Sequence, residues 1–152
     1  MKTNKTSAII IMGLFAILRP ANASPDLADK LKASNDKLQS LYRDAQRNMH
    51  DLRGEEAEFG AAMMLTEKIT EALCHVFVLD ALVSVGQSVH DENDKRTIDK
   101  AISSHIEAFS REPNVNQIDN LLPHLKNEAL LRDANKLKDD MRELVDLPKP
   151  IP

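Results

Sequence analysis

Apolar side chains recur along most of this chain at the three- and four-residue intervals of helices that pack on one face. The first stripe is Leu27, Leu31, Leu38, Leu41, Tyr42, Ala45, Met49 and Leu52. Ser24-Pro25-Asp26 opens it with a hydroxyl cap, a proline at the first helical position and an acid in the first turn, and Arg53-Gly54 supplies an end. A second helix runs from about Glu55 towards Val89, with Gly60 and Gly86 as its weak points. Its stretch from Ala72 to Val83 is apolar nearly all round, which predicts the most buried helix of the fold. The absence of turn residues on either side favours helix over a buried strand.

Asp91-Glu92-Asn93-Asp94 reads as a solvated turn and a new acidic helix start. Ile98, Ala101, Ile102, His105, Ile106 and Phe109 then fall at helical spacing, until Glu112-Pro113-Asn114 stops them. The last helix carries Ile118, Leu121, Leu122, Leu125, Ala129, Leu130, Ala134, Leu137, Met141 and Leu144. Pro123 must open its main part or kink it, with a short turn expected before the proline. From Leu147 onward proline alternates with other residues, and the end reads as a frayed, proline-rich flexible tail over residues 148–152.

Short connections between successive amphipathic helices favour antiparallel neighbours. The expected fold is therefore all-α, an up-and-down antiparallel four-helix bundle spanning residues 24–147, with no repeat of solenoid period. Helices of this length can also leave an apolar seam that a homodimer would complete.

Composition narrows the function classes. The 152 residues are 42% hydrophobic and 29% charged, which is enough for one folded domain and too apolar for a disordered chain. Four glycines, no tryptophan and one cysteine argue against glycine-looped nucleotide-binding folds, disulfide-stapled miniproteins and multi-cysteine zinc modules. No nucleophile elbow, paired-carboxylate motif or phosphate loop is present, so the chain reads as a non-enzyme.

Residues 1–23 read as a secretory signal peptide: Lys2 and Lys5 precede an apolar run from Ala8 to Leu18, and Ala21-Asn22-Ala23 forms a cleavage box. The apolar run is well short of the roughly 20 residues a membrane-spanning helix needs, so stable membrane insertion is not expected. Cleavage would remove Lys2, Lys5 and Arg19 but no acid, taking the net charge from -4 to -7. An acidic exported domain does not suit nucleic acid and does suit a basic protein partner. The periplasm is the expected compartment, with secretion as the second choice.

Several residues are candidates for chemistry. Cys74 lies in the most apolar segment, where a buried, inert thiol is expected. Glu71 and His75 share one helix face, as do His124 and Glu128; if those faces met, the four side chains could hold a divalent metal. Met49, Met63, Met64 and Met141 with His50 could act as soft copper ligands, although gap-filling in an aliphatic core accounts for the same methionines. Asp80 interrupts an apolar run, so it must face an opening or an interface, or find a buried partner.

Residues 26–38 resemble the start of the periplasmic four-helix haem cytochromes of the b type. That resemblance implies a haem held by a methionine on the first helix and a histidine near the end of the last, where this chain has Leu31 and, at the start of its last helix, His124. The likeness is one of helix-start chemistry. The function expected from the sequence is protein–protein binding by an exported helical bundle, as an inhibitor or immunity protein, a secretion accessory or a chaperone-like holder, without a cofactor. The alternative is a periplasmic metal- or haem-binding bundle.

Overall fold

The computed structural model describes residues 25–52, 56–109 and 113–147. The signal segment, the Arg53-Gly54 helix end and the tail over residues 148–152 lie outside the described residues. Within them the chain is all-α and contains no strand. Five α-helices follow in order: α1 Pro25–His50, α2 Glu56–Ser88, α3 Glu92–Phe109, α4 Pro113–Leu121 and α5 Glu128–Val145. A 3-10 turn, Leu122–His124, stands between α4 and α5.

The expected fourth helix is thus two. Pro123 lacks an N–H to continue an α-helical ladder, and the backbone leaves the helix at Leu125, which is extended. Asn127 then restarts it, its side-chain oxygen accepting from the backbone N–H groups of Ala129 at 2.9 Å and Leu130 at 3.2 Å. The α3 start follows the same chemistry. Asp91 Oδ1 accepts from the N–H groups of Asn93 at 2.9 Å and Asp94 at 3.1 Å.

α1 packs against α2 and α5, α2 also against α3, and α3 against α5. Side-chain pairs give the directions. Lys37 reaches Glu143 while Asn48, further along α1, reaches Asp133, so α1 and α5 run antiparallel. His75 meets His105 while the later Gly86 lies against the earlier Ile98, so α2 and α3 do too. The core is aliphatic, as the stripes predict: Leu31, Leu38, Leu65, Ile69, Ile106, Leu130 and Leu137 are fully buried. Each such side chain contributes about 1.5–3 kcal/mol by leaving water.

Three expectations need correction. α2 is not buried on all sides: it passes, by length and composition alone, as long and apolar enough to cross a membrane, yet only 28% of its most apolar 18-residue window is buried. The segment is apolar all round because its inner face fills the core and its outer face is left uncovered. Leu147 is not part of a frayed end, since it is buried and joins the core two residues beyond α5. Polar residues also enter the interior, and the apolar stripes do not announce them: Ser34, Asn35, Glu58 and Asp133 are all buried.

Candidate interaction face

A 33-residue helix repeats its faces every 3.6 residues, so its inner and outer residues separate cleanly. Inward, α2 turns Ala61, Ala62, Leu65, Ile69, Ala72, Val76, Leu79 and Val83. Outward, it exposes Phe59, Met63, Met64, Phe77, Val78 and Val85 to between 38% and 53%. Gly60, Thr70, Cys74 and Ala81 are exposed among them. The charges on this side are Glu67 and Glu71, and Glu71 already accepts from Lys68 Nζ at 2.7 Å.

At its N-terminal end the face widens into an open groove of about 750 Å³ between α1 and α2. Tyr42 and Met49 form its α1 wall, and Phe59, Met63, Met64 and Thr66 line it from α2. Gly60 forms part of the floor. A Cβ added there would meet nothing within 4 Å, so no neighbour within the chain demands a glycine. Gly86 differs. A Cβ there would stand 3.2 Å from Ile98 Cγ2, so this glycine lets α3 approach closely.

One carboxylate holds the other side of the α2 start in place. Glu58 is buried and its Oε1 accepts from the backbone N–H groups of Lys126 at 2.7 Å and Asn127 at 2.5 Å. Those N–H groups belong to the segment between the 3-10 turn and α5, where no ladder would satisfy them. From the sequence, Glu58 looks like one more first-turn acid. Only contact with a segment 68 residues away makes it a clasp.

The sequence candidates for a metal do not converge. Since Glu58 bonds the Lys126–Asn127 backbone, His124 and Glu128 lie near the start of α2, whereas Glu71 is thirteen residues further on, about 20 Å along the axis. Glu71 pairs with Lys68, and His124 and Glu128 are exposed. His75 instead meets His105, Nδ1 to Nε2, at 3.1 Å. Burial holds the His105 imidazole below its ordinary value, and the charge of a protonated His75 would push it the same way. Among the described residues no three histidine, cysteine, aspartate or glutamate side chains gather as a metal site would require.

The remaining candidates are also relocated. Cys74 is exposed rather than buried, because it points along the outer face of the apolar segment. Met63 and Met64 are exposed and so do not fill core gaps, whereas Met141 is in the core. Leu31, at the position of the haem-ligating methionine in the resembled family, is fully buried in the aliphatic core. Asp80 is half-buried on α2.

The chain matches no protein-family profile, no curated protein and no solved structure.

Proposed function

We propose that this chain is a non-enzymatic, exported protein of the periplasm that works by binding a protein partner, and that the outer face of α2 is its binding surface. The observation that carries this reading is the run of large apolar side chains exposed on one face of one helix, from Phe59 to Val85. Two groups of exposed large apolar side chains, Phe59 to Met64 and Phe77 to Val85, share this side of the helix, and grouped apolar exposure of this kind marks interaction surfaces. Export rests on the pattern of residues 1–23, and with those residues removed the remainder carries -7, which favours encounter with a basic partner.

The supporting architecture is an up-and-down four-helix bundle. α1, α2, α3 and α5 form a closed ring of neighbours, α1 on α2, α2 on α3, α3 on α5 and α5 on α1, with α4 carried in the last connection. In such a bundle the shared interior is filled by the four inner stripes, and an apolar outer stripe is surplus to folding.

Photo-crosslinking in the native cell tests the reading. A photoreactive residue at position 63, 78 or 85 is expected to give discrete protein adducts, and one at the exposed Lys136 of α5 none. Absence of any protein adduct from all three α2 positions would sink the proposal.

A further inference from the structure

Resting on that reading of the α2 face, we infer that the segment it takes from its partner is an amphipathic helix laid in the groove between α1 and α2, with a large apolar side chain over Gly60 and a lysine or arginine at Glu67. The polar groups along the groove select this chemistry. The Tyr42 hydroxyl accepts from Gln46 Nε2 at 2.8 Å. The Thr66 and Thr70 hydroxyls donate to the backbone carbonyls of Met63 at 2.7 Å and Thr66 at 2.8 Å, so neither calls for a partner from outside. Glu67 is the one charged side chain of the lining, and among the described residues its carboxylate has no partner. Lys68, the lysine of α2, is already bonded to Glu71 and does not compete for it. The groove therefore asks its occupant for apolar surface and one cation.

Shape selects a helix. Both walls are α-helices whose backbone groups are spent in their own ladders, so an extended segment would find no sheet edge to join. Met49, Met63 and Met64 present unbranched thioether side chains beside the rings of Tyr42 and Phe59, and such chains adapt to apolar partners of differing shape. Gly60 leaves the α2 backbone open to close approach, since a Cβ there would meet nothing within 4 Å.

Spacing sets the pattern the occupant must carry. Gly60 and Glu67 are seven residues apart, so they lie on one line of α2, two turns and about 10 Å from each other. A helix running along the groove meets both with an apolar residue and a cation seven positions apart on its own inner edge.

Fluorescence anisotropy on the protein purified from cells tests this with two synthetic 18-residue helical peptides. Both have a leucine stripe and an alanine and glutamine polar side. One carries a single lysine seven positions from a leucine of the stripe, and the other a glutamate in its place. The lysine peptide is expected to bind roughly threefold to tenfold more tightly, as an ion pair partly desolvated at an interface allows. Glu67→Gln should remove the difference, Glu67→Lys should invert it and Glu67→Asp should keep it. Glu92→Lys, the same charge change on α3, should leave it standing. Gly60→Leu should weaken both peptides with unchanged helical circular dichroism. Equal affinities, a preference that survives Glu67→Gln, or no binding of the lysine peptide would overturn the inference, as would binding to neutral phosphatidylcholine vesicles alone. Cellular photo-adducts at positions 78 and 85 with none at 63 would overturn it too and leave the protein-binding function standing. No adduct at any of the three removes both.

Discussion

Glu58 near the start of α2 and Asn127 at the cap of α5 are joined by a 2.5 Å bond from the Asn127 backbone N–H to the Glu58 carboxylate. Asn127 in turn caps α5 with its own side chain, so one carboxylate orders both the loop and the helix that follows. Removing the acceptor leaves two backbone N–H groups of a part-buried corner without their protein partner. Glu58→Ala is expected to cost about 2–4 kcal/mol in chemical denaturation, and Glu58→Gln, whose amide oxygen still accepts, clearly less. Equal losses for the two variants would show that the clasp is not what stabilises this corner.

The histidine pair gives stability an acid-sensitive component. The folded-state value of His105 lies below the unfolded one, so on acidification the unfolded chain takes up its proton first. The stabilising contribution is complete above the ordinary histidine value and declines as pH falls through it towards the folded value. Thermal melts between pH 8 and pH 5 should show this decline, and His105→Gln should flatten it. An unchanged slope in the variant would assign the pH dependence to other groups.

Asp133 has the opposite sign. Burial raises its carboxyl above the ordinary range, partly offset by the 2.7 Å bond it accepts from Asn48 and by Lys136. The folded state therefore holds the proton more tightly, and the cost of the bare carboxylate is fully present at neutral pH. Asp133→Asn keeps an oxygen for Asn48 and removes that charge. Its melting temperature should exceed that of the parent at pH 7, and the difference should shrink as pH falls through the folded titration of Asp133. A lower melting temperature at pH 7 would mean that the ion pair with Lys136 outweighs burial.

The two glycines of α2 should respond differently to the same substitution. Gly60→Ala adds a methyl group to open space and gains helix propensity, so it should stabilise the fold by about 0.5–1 kcal/mol. Gly86→Ala gains the same propensity but presses on Ile98 Cγ2, and should gain less or lose. Urea titrations of the two single variants decide this, and an equal gain at both sites would mean that α3 yields freely.

Much of the fold was legible because helical periodicity is local. The stripes of α1, α3 and α5 correspond to buried or half-buried residues, and the break at Pro123 follows from a missing N–H. The candidate face was not legible. In α2 both sides are apolar, so periodicity carries no sign to separate the side that packs inward from the side that does not. Cys74, Met63 and Met64 were therefore expected inside and are found outside.

The sequence by itself determined that the chain is helical, where the helices break and which stripes of α1, α3 and α5 turn inward. Those properties depend on backbone hydrogen bonding and on side chains three or four residues apart. Only the tertiary structure decided that Glu58 clasps the α5 entry, that His75 meets His105 and not His124 or Glu128, and which side of α2 stays uncovered. Each of these depends on how many neighbours the other helices can supply. α1, α3, α4 and α5 cover the inner side of α2, and the side that carries Phe59, Met63, Met64, Phe77, Val78 and Val85 stays exposed.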